Sequence, residues 1–381
     1  MIGPSSANTE RPYWVAWSQI SSVGPVRLQR LWRHFGSLET AWRAAAADLM
    51  AVEGIGLATA MDIDQGRSAI DPSDTYLSYV EANPDFWTPS DSDYPRLMLD
   101  SPDPPPVLHY RGKVDLNENH GKTLAVAIVG TRQPTEYGRR WTYRISQTLA
   151  HAGVTVISGL ASGVDAIAHQ AALDAGGRTL AVMGTGVNLI YPRRNRTLAE
   201  RILPQGLLLS EYPNGTPPDR ARFPRRNRII AGLSRAVLIL EAPQKSGALI
   251  TARVAKDYGR DIYALPGTLD NDRAFGCLAL IEQGATMILG ESSLLERLGV
   301  TPRRAKKEVQ ADPTPQAPPQ APPGLSPELA QVLSAIKTQP ILLDHISQQT
   351  GLDPGPILAA LAQLEMMDLV QQLPGMRYQR C

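Results

Sequence analysis

Seven short apolar runs, at residues 124–129, 154–157, 179–183, 207–209, 236–240, 262–265 and 286–289, constrain this chain more than any other feature. Most are rich in branched residues and unbroken by polar ones. A strand that faces water on one side alternates; a strand covered on both sides reads as a continuous apolar run. Helical stretches at 135–151, 163–175, 226–233 and 247–258 separate several of them. Strands and helices that alternate in this way predict an α/β fold, with a mostly parallel sheet and helices on both faces.

At 381 residues the chain exceeds one ordinary core, and composition breaks it into four parts. Residues 1–85 form a helical domain. Two turns there, Val23-Gly24-Pro25 and Val52-Glu53-Gly54-Ile55-Gly56, have the look of a helix-hairpin-helix that holds a phosphate. A plain connection needing glycine for positive φ is favoured, because only Arg27, Arg30 and Arg33 stand nearby and Glu53 sits in the second turn. Residues 86–300 hold the sheet, entered through a proline-dense segment at 91–112. That segment is expected to be extended and to lie across another surface rather than form an element. Residues 301–324 are a Pro/Ala/Gln linker. Residues 325–381 read as three helices, at 327–336, 342–350 and 356–367, then a hairpin turning at Pro374-Gly375. That order predicts a winged-helix-like domain.

A net charge of +1 conceals an asymmetry: residues 121–300 carry 22 Lys+Arg against 14 Asp+Glu. A basic middle between acidic flanks suits an anionic ligand. Four turns of the sheet region stand at strand ends beside helix starts. In open α/β sheets ligands bind there, and the first turn of a helix offers unpaired N–H groups. The turns are Gly130-Thr131-Arg132, the run from Ser158-Gly159 to Asp165, Gly184-Thr185-Gly186 with Arg193-Arg194 downstream, and Lys245-Ser246-Gly247. Ser158 and Gly159 are expected to face outward. Ser246 is a good N-cap, and His169 is read as structural. A fifth segment, Phe223-Pro224-Arg225-Arg226-Asn227-Arg228, opens a helix with three arginines, where the helix dipole disfavours cations. Three arginines there suggest that something anionic sits opposite, and a string of phosphates is the most economical choice. Nine arginines lie between Arg193 and Arg228, with Tyr191, Tyr212 and Phe223 interleaved. Charge beside aromatic stacking surfaces is the recipe for single-stranded nucleic acid.

Other classes lack their residues. There is no G-x-G-x-x-G, no G-x-x-x-x-G-K-[ST], no G-x-S-x-G elbow and no H-E-x-x-H. No catalytic group or cofactor is expected. Cys277 and Cys381 cannot build a disulfide framework. The first eleven residues lack a signal-peptide core, and no apolar run is long enough for a membrane span, so a cytoplasmic protein is expected. The presumed recognition helix of the tail carries no Lys or Arg and ends in Glu365 and Asp368. Without cations to meet phosphates, a protein-contact or weak accessory role is favoured for the tail.

Several motifs in order then resemble one family. They are Val129-Gly130-Thr131-Arg132, the run from Ser158 to His169, Tyr191-Pro192, Ser210-Glu211, the run from Phe223 to Ser234, Glu241-Ala242, the run from Lys245 to Thr251, and Leu265-Pro266-Gly267. The pattern, over roughly residues 92–290, is similar to that of the DNA-processing protein A family, also called DprA or Smf. The resemblance implies an extended Rossmann-like fold that binds single-stranded DNA, dimerises, and loads the RecA recombinase onto incoming strands in natural transformation. It carries DNA-binding roles to Gly130, Thr131, Arg132, Arg225 and Arg228, and also to Arg193, Arg194 and Lys245. Ser158, Gly159 and Ser246 join them as candidate site residues. After Gly276-Cys277 many members have Asn and a basic residue, where this chain has Leu278-Ala279; a dimer face near this apolar stretch is plausible.

Two rivals come from other classes. A Rossmann-like nucleotide-processing enzyme of the phosphoribohydrolase type needs a Pro-Gly-Gly-x-Gly-Thr loop, and Pro266-Gly267-Thr268-Leu269 does not supply it. A transcription regulator acting through the tail is weakened by the cation-free recognition helix.

Overall fold

The computed structural model describes residues 7–300, 325–336, 341–373 and 377–380. The chain divides into two compact units, residues 1–305 and 306–381.

The first unit is built on a sheet of nine strands among the described residues. In chain order they are β1 (Phe86–Trp87), β2 (Leu108–Gly112), β3 (Ala125–Val129), β4 (Thr155–Ser158), β5 (Thr179–Val182), β6 (Leu207–Ser210), β7 (Ala236–Ile239), β8 (Asp261–Ala264) and β9 (Thr286–Met287). Their spatial order is β1-β2-β6-β5-β4-β3-β7-β8-β9. Every pairing from β6 to β9 is parallel, while β1 with β2 and β2 with β6 are antiparallel. The α/β fold expected from the apolar runs is therefore the one observed.

The central strands are buried at every position because each face has its own cover. Successive side chains of a strand point to opposite faces. Ala125, Ala127 and Val129 join one core with Ile229, Ile230 and Ala231 of helix Arg222–Gly232 and Ala248, Ala252 and Ala255 of helix Gly247–Asp257. Val126 and Ile128 join the other, with Ile145 and Leu149 of helix Glu136–His151 and Val164, Ala168 and Ala172 of helix Val164–Asp174.

One expectation fails in the proline-dense segment. Its end is not a loose strap: Leu108–Gly112 is β2 and pairs antiparallel with β6, His109 opposite Ser210. The prolines stop at Pro106, so the following amides are free to satisfy the otherwise bare edge of β6. A short helix, Arg96–Leu99, lies in the same segment.

The helical segment belongs to the first unit. Its six helices, from Ala7–Ser18 to Pro72–Ala82, enclose Trp14, Trp17, Leu28, Leu31 and Leu38. The Tyr79 hydroxyl meets His109 Nε2 on β2 at 2.7 Å. Arg27 donates to the Gly54 carbonyl, and Arg30 to the Glu53 carbonyl and carboxylate. Arg27 and Arg30 are thus engaged with the backbone and carboxylate of the second turn.

The second unit has helices Pro327–Ala335, Leu343–Thr350 and Pro354–Met366 and a sheet of β10 (Ile341–Leu342), β12 (Arg377–Arg380) and β11 (Val370–Leu373) in that spatial order. Three helices closed by a small antiparallel sheet make the expected winged-helix form. The linker at 301–324 and the turn at Pro374-Gly375 lie outside the described residues.

Candidate nucleic-acid interface

The sheet places one crevice by its topology. From β3 the chain steps outward through β4, β5 and β6, then returns to the other side of β3 for β7 and steps away through β8 and β9. The carboxyl ends of β3 and β7 are where the connections diverge, the place where open α/β sheets bind ligands. A trough of about 660 Å³ opens there. Gly130, Thr131 and Arg132 line it from the β3 end. Pro243, Ser246 and Gly247 line it from the β7 side. Phe223, Pro224, Arg226 and Asn227 of helix Arg222–Gly232 complete it, with Tyr191 and Arg220 on loops.

The trough's charge is layered. Arg226 is buried, with 5% of its surface exposed. Its Nη1 donates to the Gly159 carbonyl (2.7 Å) and to the Val182 carbonyl, and its Nε donates to Asn227 Oδ1 (3.2 Å). Its Nη2 makes no protein hydrogen bond among the described residues. Burial lowers its pKa to about 10, with buried Asp165 opposing the shift, so the guanidinium stays charged at neutral pH. Arg132 and Arg220 are exposed, and neither forms an ion pair or side-chain hydrogen bond with another described residue. Tyr191 and Phe223 stack with ring centroids 5.5 Å apart, and both line the trough.

The backbone tells a different story from the one the turns suggested. The Thr131 amide donates to the Glu241 carbonyl (2.7 Å). The buried Glu241 carboxylate accepts from the Thr135 amide (2.8 Å) and hydroxyl (2.7 Å) at the start of helix Glu136–His151. A side-chain carboxylate, not a ligand, holds that helix mouth. The amides of Gly159 and Ala161 both donate to Asp165 Oδ2. The mouth of helix Gly247–Asp257, capped by Ser246 Oγ on the Ala248 amide (3.2 Å), opens into the trough, and the Gly247 amide is unbonded among the described residues.

The glycines serve the same internal economy. A Cβ on Gly130 would lie 2.6 Å from Val164 Cγ2 and 2.8 Å from the Glu241 carbonyl. A Cβ on Gly159 would lie 2.6 Å from the Arg226 guanidinium. Close approach is needed at both positions, but the approaching group is the chain itself.

Of the candidate residues, Gly130, Thr131, Arg132 and Ser246 line the trough. Arg225 and Lys245 are exposed and adjoin lining residues in sequence, without lining it themselves. Gly159 lies beneath Arg226. Ser158 turns inward, fully buried, with its hydroxyl on the Ile128 carbonyl (2.6 Å), because position 158 ends β4 on a face already covered. Arg228 is the clearest departure. It is only 12% exposed, salt-bridged to Glu211 and Asp103, and donates to the Asp103 carbonyl (2.9 Å). The helix begins at Arg222, so residue 228 falls two turns in, on the side of the lead-in segment. Arg194 donates to Ser162 Oγ, and Arg193 lines a different cavity. His169 is structural as expected, fully buried with Nδ1 2.7 Å from the Thr179 hydroxyl. Arg226 and Arg220 are the lining cations the sequence reading did not single out. Burial of an arginine leaves no mark in a run of three.

A doubly wound α/β unit with an arginine-lined trough at its switch point, together with a winged helix, places the chain in the Rossmann-like class. A family model described as DNA recombination-mediator protein A matches residues 85–299, and one described as DprA winged helix domain matches residues 316–376. Protein Smf of Synechocystis is 48% identical over 98% of this chain and 100% of its own length. Protein Smf of Escherichia coli is 36% identical over 81% of this chain and 80% of its own. The crystal structure of DNA processing protein A from Streptococcus pneumoniae superposes with a TM-score of 0.63 at 32% identity, covering 74% of this chain and 95% of that one. A structure of DNA processing protein A from Helicobacter pylori, described for its single-stranded DNA binding mode, has a TM-score of 0.50 at 33% identity, covering 56% and 95%. The chain belongs to the DNA-processing protein A (DprA/Smf) family of recombination mediators.

Proposed function

We propose that this protein binds single-stranded DNA in the switch-point trough and delivers it to a RecA-type recombinase. The observation that carries this reading is the layering of the trough. A buried, charged Arg226 offers one free nitrogen, and unpaired Arg132 and Arg220 stand above it. Phosphates supply the missing acceptors. The stacked Tyr191 and Phe223 rings give unpaired bases a surface that a duplex would keep covered. Ser246 and the Gly247 amide serve a phosphate at the second rim. Arg225, Lys245 and Arg194 strengthen the field outside the trough, and Thr131, Gly130 and Gly159 shape it. Ser158 and Arg228 act through the fold.

The reading has two further parts, pairing of two copies from the family resemblance and a role for the tail from its charge. Two copies pair through a face near the apolar stretch Cys277–Ile281, beside which Phe275 is 41% exposed. The winged helix, whose helix Pro354–Met366 carries no cation, contacts protein rather than DNA. The protein works on DNA inside the cell; no helix among the described residues is long and apolar enough to cross a membrane.

A gel shift with single strands and duplex of equal length, across salt, tests the reading. Single strands should bind more tightly, with log affinity falling linearly in log salt by roughly 0.7 per phosphate contacted. Equal affinity for duplex would overturn it. Recombinase delivery is tested by filament formation on strands coated with a single-strand-binding protein. Free base released from nucleoside monophosphates would favour the phosphoribohydrolase rival instead.

A further inference from the structure

The loop that carries Tyr191 has a second side. Tyr191 lines the trough, whereas Leu189, Ile190 and Arg193 line a separate cavity of about 520 Å³. Arg111 enters it from β2, where the sheet register sets it opposite Leu208 of β6. Arg196 and Glu200 also line it, paired with each other at 3.0 Å, so their charges offset. Arg111 and Arg193 are exposed, and neither makes a side-chain hydrogen bond or ion pair with another described residue. Two unpaired guanidiniums facing one cavity repel each other mildly and gain from an anion between them. Nothing proposed for the trough uses them.

Arg194 reaches Ser162, next to the trough-lining Ala161. Its guanidinium donates to Ser162 Oγ, in the loop that leads into helix Val164–Asp174, while its neighbour Arg193 lines the second cavity. Consecutive arginines thus serve opposite sides of one loop.

We infer that the cavity of Arg111 and Arg193 binds phosphates of the same single strand after it leaves the trough across Tyr191 and Arg194. One protomer then holds the strand at two stations, one with stacking rings and one without. This rests on the single-strand reading of the trough. The second station is lined by aliphatic Leu189, Ile190 and Leu208 and offers no aromatic face, so it grips backbone alone and tolerates any sequence.

The test is fluorescence anisotropy with a ladder of labelled oligo-thymidylates, spanning the roughly 4 to 16 nucleotides that single-strand grooves occupy. The proteins are the parent, Arg111→Ala with Arg193→Ala, and Arg132→Ala. Arg111→Gln with Arg193→Gln keeps the stems and guards against a packing effect. Parent affinity should rise in two steps with length. The Arg111/Arg193 variants should keep the first step and lose the second. The longest oligonucleotides should weaken by roughly a hundredfold or more, and their salt slope should flatten by roughly 1.4. Variants that follow the parent at every length, or that lose the shortest oligonucleotide too, overturn the second station. Failure of the trough looks different. Arg132→Ala would then bind as the parent does at every length, while the Arg111/Arg193 variants alone would lose affinity.

Discussion

Arg132→Ala separates binding from folding more cleanly than any other substitution in the trough. The side chain is exposed, meets no acidic partner among the described residues, and follows β3 on a turn whose own contacts are made by Thr131 and Gly130. Its removal should change stability by no more than about 0.5 kcal/mol. If it grips a phosphate, a charged hydrogen bond worth about 1.5–3 kcal/mol is lost. That is roughly a ten- to hundredfold weaker affinity at low salt. The contact is to backbone, so the loss should be the same for every base composition, and the salt slope should drop by roughly 0.7. Anisotropy titrations of one labelled oligonucleotide at several salt concentrations, beside a urea melt, read all three quantities. Parent-like affinity and slope would refute the reasoning; so would a loss confined to one base. Arg226 is unsuited to this experiment. Its removal would leave the Gly159 and Val182 carbonyls unmet and Asp165 buried without its counter-charge, costing about 3–5 kcal/mol of stability.

Other substitutions follow from the same geometry. Arg228→Ala should lower stability by about 3 kcal/mol in urea, because Glu211 and Asp103 lose their shared partner, while the salt slope of DNA binding stays as in the parent. A flatter slope with unchanged stability would return Arg228 to the trough. Gly159→Ala sets a methyl 2.6 Å from the Arg226 guanidinium, so binding should weaken together with a stability loss of about 1–3 kcal/mol; parent-like behaviour in both assays contradicts the close approach. Burial lowers the pKa of His109 to about 4 and of His169 to about 3, with Arg226 adding to the latter. Unfolded imidazoles titrate near about 6.5, so both residues contribute stability above that pH and lose it as pH falls toward those folded values. The urea midpoint should decline from about pH 6.5 downward, and less steeply in His109→Gln; identical curves for parent and variant would exclude His109 as a source.

The sheet was legible because burial on both faces writes itself as unbroken apolar runs. The seven observed strands from β3 to β9 fall on those runs to within a few residues. The antiparallel β2 escaped because proline density drew attention to residues 102–106, while the pairing begins just after them. The place of the trough was legible too, since strand ends and helix starts follow from the alternation. Which arginine of Arg225, Arg226 and Arg228 faces it was not. That depends on where the helix begins, and Arg222, three residues before the first arginine of the cluster, is its first residue. The amides of the Gly130 and Gly159 turns were expected to await phosphate. The Thr131 amide is taken by the Glu241 carbonyl, which only the folded chain brings to that turn, and the Gly159 and Ala161 amides by Asp165, at the end of their own turn. A single sequence names the donors but not the internal acceptors that compete for them.

A crystal structure with an oligo-thymidylate bound tests the central claim most directly. The account predicts a phosphate within hydrogen-bonding distance of Arg226 Nη2 and Arg132, with a base against Tyr191 or Phe223. A strand bound elsewhere, with the trough empty and Arg228 still clasped by Glu211 and Asp103, would contradict it.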